Sequence, residues 1–262
     1  MGPDQTSRRA PVSLVLITRD AAAQLPACLD SARFADDIVV VDSGSADDTV
    51  QIAASFGARV IRQDWLGYGP QKQFAVERAA HNWVLCLDAD ERVTPALAAS
   101  IERALEAPQA GAYRMARCNR FMGRWLRHGE GYPDWNVRLF DRRRGRWSDD
   151  PVHERVVFEG TAGTLEGDLM HESAESLDNY LAKQNRYSTL LADALFARGR
   201  RTSMAQIVLS PLVRFIKFYV FKLGFLDGVA GFVHIAIGCG SSFAKHAKLL
   251  ALERAAREGA GS

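Results

Sequence analysis

Two carboxylates stand two residues apart in the run Leu85-Cys86-Leu87-Asp88-Ala89-Asp90-Glu91. An apolar run of this kind reads as a buried strand, and on a strand residues i and i+2 share a face. At a strand end, two such carboxylates offer oxygen ligands to one hard cation. A second run, Ile38-Val39-Val40-Val41-Asp42, also ends in an acid and leads into Ser43-Gly44-Ser45-Ala46-Asp47-Asp48-Thr49. Two acid-tipped strands in one α/β layer point to a nucleotide and a metal at the carboxyl edge of a sheet. Each segment alone favours the plainer reading, a buried strand followed by an N-capped helix. The two together favour the chemical reading.

The elements that must position these acids alternate. Residues 12–18 read as a buried strand, followed by a helix over 24–33, a strand over 36–42 and a helix over 47–56 capped by Ser45 or Asp47 and stopped by Gly57. A strand over 58–61, a loop Gly67-Tyr68-Gly69-Pro70, a helix over 71–80 and a strand over 82–88 come next. Thr94 then caps a helix over 95–107, with Pro95 at its first position. Four strands alternating with helices indicate βαβ units and a mainly parallel sheet flanked by helices. Beyond Gly111 the pattern shifts to shorter strands over 112–118, 135–140, 146–147, 154–158 and 164–169, with a helix over 176–198 after them.

At 262 residues and 47% hydrophobic, the chain is long and apolar enough to bury a large core. A net charge of +2 gives no reason to invoke nucleic acid. The basic residues are clustered, however: Arg138, Arg142, Arg143, Arg144 and Arg146 in the middle, and Arg198, Arg200 and Arg201 before the apolar last third. Such clusters suit phosphates or anionic lipid as well as a solvated surface. Cys28, Cys86, Cys118 and Cys239 have no metal-type or paired spacing and read as reduced thiols of a cytosolic protein. The apolar run 12–17 is too short for a signal-peptide core.

The ordered set resembles a known family. Val41-Asp42-Ser43-Gly44-Ser45 with Asp47 and Thr49, then Gly67-Tyr68-Gly69-Pro70-Gln71-Lys72, then Leu87-Asp88-Ala89-Asp90-Glu91 resemble inverting family 2 glycosyltransferases with the GT-A fold. Tyr132-Pro133-Asp134-Trp135, Arg138-Leu139-Phe140 and Val152-His153-Glu154 extend the likeness, which covers residues 11–172 and is nearest to the lipopolysaccharide-core β-1,4-glucosyltransferase branch. The resemblance implies a GT-A catalytic domain over 11–172. It implies transfer of a hexose, glucose from UDP-glucose, with inversion, onto a glycan or lipid-linked acceptor of the lipopolysaccharide core or cell envelope.

The resemblance also distributes roles. The end of the first strand, Thr18-Arg19, and Asp42 with Ser43 would hold the nucleoside; many relatives have Tyr-Asn where this chain has Arg19-Asp20. Asp88 would lie near the ribose, and Asp90 would ligate Mg²⁺ or Mn²⁺, with Asp88 and His171 as further metal ligands. Lys72, at the start of a helix, would face the diphosphate, although it reads equally as a solvated helix residue, and Arg138 would contact the diphosphate or hold a catalytic carboxylate. Glu91 is a supporting group or the N-terminal charge of the following helix. Inversion needs one base for the acceptor hydroxyl. Glu154 and Asp134 compete for it, and Glu154, in an acceptor-side loop, is preferred. His153 is a further candidate contact, and Trp125, Trp135 and Trp147 are candidates for a sugar platform or for core packing.

Residues 173–262 read as a helical region. Its stretch 204–243 is strongly apolar, but Arg214, Lys217 and Lys222 interrupt it. That composition favours helices lying in an anionic membrane surface on the cytoplasmic face over a true span; packing on the catalytic domain or on a second subunit is the alternative. Gly224, Gly228 and Gly231 are expected to break the helix. The rival functions are a metal-dependent nucleotidyltransferase, for which Thr18-Arg19-Asp20-Ala21 supplies no glycine-rich phosphate loop, and a non-catalytic sugar- or lipid-binding scaffold.

Overall fold

The computed structural model describes residues 9–150, 154–173 and 176–259. The elements are β1 (Val12–Thr18), α1 (Leu25–Ser31), β2 (Asp37–Asp42), α2 (Thr49–Ser55), β3 (Arg59–Arg62), α3 (Tyr68–Glu77), β4 (Trp83–Asp88), β5 (Glu91–Val93), α4 (Pro95–Glu106) and β6 (Ala112–Phe121). They continue as β7 (Arg124–Trp125), β8 (Asp134–Asp141), β9 (Gly145–Trp147), β10 (Val156–Phe158), β11 (Gly163–His171), α5 (Leu177–Ala197), α6 (Met204–Phe215) and α7 (Gly228–Gly259).

One sheet runs in the order β3-β2-β1-β4-β8-β6-β11-β5, with β7 pairing off β6. The β3-β2-β1-β4 half is parallel, as the alternation of strands and helices predicts. β8, the next strand, pairs antiparallel with both β4 and β6, and β11 pairs antiparallel with β5. β4 is therefore the last parallel strand. Its two faces are apolar (Trp83, Val84, Leu85, Cys86 and Leu87 are all buried), which is what a strand covered on both faces requires. One core cluster gathers Leu14, Leu16, Leu25, Leu85, Leu97, Ile101 and Met115, and a second gathers Val15, Val39, Val41, Val84, Phe140 and Trp147.

Several boundaries differ from expectation for local reasons. Helix α3 starts at Tyr68, not at Gln71, because Gly67 takes a φ of 101° and turns the chain directly into the helix. Lys72 thus lies in its second turn. The residue that flanks α2 is Asp48, and it makes no side-chain cap. Asp47 instead accepts from Thr49 N at 3.0 Å and from Ala22 N at 3.0 Å, joining the loops after β2 and β1. Thr94 caps α4 through Leu97 N at 3.3 Å, as expected.

The chain divides into two compact units, one through Cys118 plus Asp134–Glu172, the other Asn119–Pro133 plus Ser173–Ser262. In the second unit α6 passes into a π-helical turn Ile216–Phe221, then a 3₁₀ turn Gly224–Asp227, then α7. The break falls near Gly224 and Gly228 as expected, but Gly231 lies inside α7 and does not break it. Its role is close approach. A Cβ on Gly231 would stand 2.5 Å from the Gly224 carbonyl oxygen and 2.7 Å from Asp227 Cβ.

Gly231→Ala is therefore expected to destabilise the protein by about 1–3 kcal/mol despite alanine's better helix propensity. Gly240, in the same helix, has nothing within 4 Å of its Cβ position, so Gly240→Ala should stabilise by up to about 1 kcal/mol. Urea unfolding of both variants checks the opposite signs.

Candidate active site

The parallel strands bring their carboxyl ends together. Thr18 pairs with Asp42 across β1 and β2, and Ile17 pairs with Asp88 across β1 and β4. Asp42 is nearly buried. Its carboxylate accepts from Thr18 Oγ1 at 3.2 Å, from Gly44 N and Ser45 N at 2.9 Å each, and from Ser45 Oγ. Burial alone would raise its pKa; these donors outweigh burial and hold it below the ordinary carboxylate range. A carboxylate has about four acceptor positions, so Asp42 here is committed to its own loop. A nucleoside would have to displace one of those donors.

The neighbouring loop residues serve the same edge. Ser43 donates its N–H to the Thr18 carbonyl at 2.9 Å, and its hydroxyl accepts from Gln71 Nε2 at 3.0 Å. Arg19 is exposed and lies 3.8 Å from Asp20. Asp20, with φ at 49°, accepts from Ala46 N at 2.7 Å and donates its own N–H to Ser45 Oγ at 2.9 Å. Asp20 thus stitches the first two loops, a role the sequence reading did not give it.

The two acids of the Asp-Ala-Asp run part company. Strand β4 ends at Asp88, and Asp90 lies in the turn to β5, so the expectation of a shared strand face does not hold. Asp88 Oδ1 lies 3.0 Å from Lys72 Nζ, and Oδ2 lies 2.7 Å from an Arg138 nitrogen. Burial pushes its pKa up, but the two cations overrule burial and hold the carboxyl well below the usual range. Asp90 Oδ2 instead faces His171 Nε2 at 3.2 Å, where His171 pairs with Glu91 across β11 and β5.

Lys72 is only 7% exposed, so the solvated reading is excluded. Its ammonium lies 3.1 Å from Glu154 Oε1 as well as on Asp88, and 4.7 Å from the centre of the Trp147 ring. Trp147 is buried and donates Nε1–H to Cys86 Sγ at 3.4 Å, so it belongs to the core beneath the site. Burial pushes the Cys86 thiol up to about 12, which leaves it inert. Trp135 is exposed, with the Arg114 guanidinium 4.8 Å from its ring centre.

Glu91 is wholly buried, and only its position beside Asp90 hinted at a role. It accepts from Asp88 N at 3.0 Å and pairs with Arg138 at 2.6 Å and with Arg117 at 3.6 Å. Arg117 continues to Asp134 at 2.8 Å. The sequence reading missed Arg117; its only signal was a cation inside the apolar strand Ala112–Cys118. The result is one unbroken chain of alternating charge: Glu154, Lys72, Asp88, Arg138, Glu91, Arg117, Asp134. The two carboxylates considered as base sit at its opposite ends. His153 lies outside the described residues.

Among the described residues no group of three or more His, Cys, Asp or Glu is arranged to hold a metal. Asp88 has a cation on each oxygen, which leaves Asp90 and His171 as the adjacent donors. The carboxylate suits Mg²⁺ or Mn²⁺, and the imidazole nitrogen favours the transition-metal ion of the two, with water and substrate phosphates left to complete its shell.

Arg138 is 4% exposed, and its Nε has no hydrogen-bond partner. Arg138→Met should leave Glu91 buried against the more distant Arg117 and cost about 3–5 kcal/mol of stability. Arg103→Met, which removes the exposed pair with Glu166, should cost under about 1 kcal/mol in the same denaturant titration.

Comparison with known proteins agrees with this architecture. The sequence model of Glycosyl transferase family 2 matches residues 13–159. The lipopolysaccharide core biosynthesis glycosyltransferase LpsC of Rhizobium meliloti is 31% identical over 249 residues, covering 92% of each chain. An uncharacterized glycosyltransferase of Rickettsia prowazekii is 30% identical over 254 residues, covering 91% of this chain and 86% of its own. Among solved structures, mannosyl-3-phosphoglycerate synthase from Rubrobacter xylanophilus matches with a TM-score of 0.50 at 21% identity, over 78% of this chain and 81% of its own, a likeness of fold. With its family match over more than half the chain and a relative spanning nearly all of it, the protein belongs to glycosyl transferase family 2.

Proposed function

We propose that this glycosyltransferase moves a hexose, glucose from UDP-glucose, with inversion onto a glycan or lipid-linked acceptor of the lipopolysaccharide core or cell envelope. It would work at the cytoplasmic face of the inner membrane, with residues 11–172 as its catalytic domain and 173–262 as a membrane-associated helical region. The role of the Rhizobium relative, lipopolysaccharide core biosynthesis, supports the acceptor class. The observation that carries the reading is the charged chain that runs through Asp88 at the carboxyl end of β4, with Lys72 between Asp88 and Glu154.

In this reading Thr18, Arg19, Asp42 and Ser43 form the nucleoside side of the edge. Asp88 orders the ribose side through Lys72 and Arg138. Asp90 and His171 would hold Mg²⁺ or Mn²⁺, which when bound neutralises charge growing on the departing diphosphate. Lys72 and Arg138 are the cations nearest that charge. A diphosphate drawing Lys72 away from Glu154 would leave Glu154 unpaired and able to accept the proton of the acceptor hydroxyl. Asp134 is the second candidate base; Arg117 holds it by two contacts, at 2.8 and 2.9 Å, against one at 3.1 Å for Glu154. That difference supports Glu154 as the carboxylate more readily released.

Asp90→Asn keeps shape and removes one charge. Donor turnover should fall by roughly a hundredfold or more with Mg²⁺ or Mn²⁺ limiting, with circular dichroism unchanged. Near-normal turnover of the purified variant would reject Asp90 as the metal residue.

Glu154→Gln should lower transfer by roughly a hundred- to ten-thousand-fold while UDP still binds, measured with UDP-glucose and lipopolysaccharide acceptor. Normal transfer by this variant alongside a dead Asp134→Asn would move the base to Asp134. Proton NMR of the wild-type product should show a β linkage from the α-linked donor; a retained α linkage would reject inversion.

A further inference from the structure

Helix α6 is built inside out. Two of its polar side chains turn inward: Ser210 Oγ lies 2.7 Å from Ser242 Oγ of α7, and Arg214 pairs with Glu130 of the segment between β7 and β8. Just before it, Thr202 donates its N–H to Glu253 at 2.7 Å, and its hydroxyl lies 3.1 Å from His246 Nδ1. The outward face is apolar. Met204, Val208, Leu212, Ile216 and Val220 recur every fourth residue and are exposed, with Val213 at 62%. The surface continues around the turn, where Phe221 is 77% and Val229 74% exposed, with Leu223, Phe225 and Leu226 between them. Only 6% of the Met204–Phe221 window is buried. A patch of this kind exceeds what a lone soluble surface normally exposes, so something covers it.

Charge identifies the cover. From Arg198 to Leu226 there are six cations (Arg198, Arg200, Arg201, Arg214, Lys217 and Lys222) and no carboxylate. Arg214 is paired inward with Glu130, and the first acid, Asp227, is buried, accepting from Arg127 N and His128 N. A second copy of this face would set like charges against like. An anionic lipid surface offers hydrocarbon to the stripe and headgroups to Lys217 and Lys222.

A true span is disfavoured by what is tied to the turn. The loop around Arg124–Gly129 is pinned there: Gly129 donates its N–H to the Lys222 carbonyl at 2.8 Å, and Arg124 donates to the Leu226 carbonyl at 2.8 Å. If the turn crossed the bilayer, this irregular backbone would have to cross with it, and hydrocarbon offers such groups no partners.

We propose that the outward face of α6 and the adjoining turn lie in the interface of an anionic phospholipid leaflet without crossing it. This deepens the membrane clause of the function proposed above and rests on that clause, not on the catalytic assignments.

The test uses the full-length protein and sucrose-loaded vesicles of phosphatidylcholine, with and without phosphatidylglycerol. Binding should be at least about tenfold stronger with phosphatidylglycerol and should fall steeply between low and high salt. Lys217→Gln with Lys222→Gln should weaken it by roughly tenfold. Leu212→Glu with Val213→Glu should abolish binding yet leave circular dichroism, melting temperature and soluble UDP-glucose hydrolysis unchanged. The proposal is overturned by failure of the wild type to bind phosphatidylglycerol vesicles, or by binding that survives high salt and alkaline carbonate, which signals a span. It is equally overturned if Leu212→Glu with Val213→Glu unfolds the protein, since the face is then packed core, or if this variant dissolves a lipid-independent dimer. Vesicle binding with no UDP-glucose hydrolysis would instead reject the catalytic reading and leave this proposal standing.

Discussion

Seven side chains carry alternating charge from Glu154 to Asp134, four carboxylates against three cations, and the core around them is organised to keep that chain intact. Its centre is Glu91, with no exposed surface, and Arg138, nearly as buried. A buried ion costs several kcal/mol to desolvate, and good geometry with further hydrogen bonds is needed to offset it. Glu91 meets that need with the Asp88 N–H and two guanidinium groups. The network therefore constrains where β4, β5, β6 and β8 can end, because each contributes one or two of its members.

The same chain sets the electrostatic state of the strand edge. Two cations press on Asp88, while Asp88 and Glu91 together raise the pKa of Arg138 against the opposing pull of burial. Each group thereby favours the ionised form of the other. The formal surplus of one carboxylate makes the edge receptive to a further cation, with Asp90 and His171 just beyond it. An arriving polyanion and its metal would redistribute contacts within a system of charges already present.

Much of this was legible before any coordinates. The strand–helix alternation up to Glu106 follows from apolar runs punctuated by glycine and proline, and the acids at 42 and 88 do mark the ends of the two strands that flank β1. What stayed illegible depends on tertiary direction. Spacing cannot say that β4 stops at Asp88 and sends Asp90 toward β11, since β11 lies some eighty residues away in sequence. Nor can it say that a lysine in a helix after a glycine–proline loop is buried between two carboxylates. Arg117 was hidden, and the supporting role of Glu91 left open, for a related reason: a buried charge looks like a surface charge until its partner is known. In the apolar last third, composition showed the excess of hydrophobic residues but not that Ser210 and Arg214 turn inward while the apolar side chains face out.

The excursion Asn119–Pro133 has a consequence for cutting the protein. It leaves between β6 and β8, neighbours in the sheet, and its residues join the same compact unit as the C-terminal helices. Asp227 satisfies two of its backbone N–H groups, and the Lys222 carbonyl a third. The helical region is thus not a tail that a protease or a stop codon can remove cleanly. Truncation before residue 204 would strand an interior loop with its hydrogen-bond partners gone, and the damage would enter the sheet through the two strands that the loop connects.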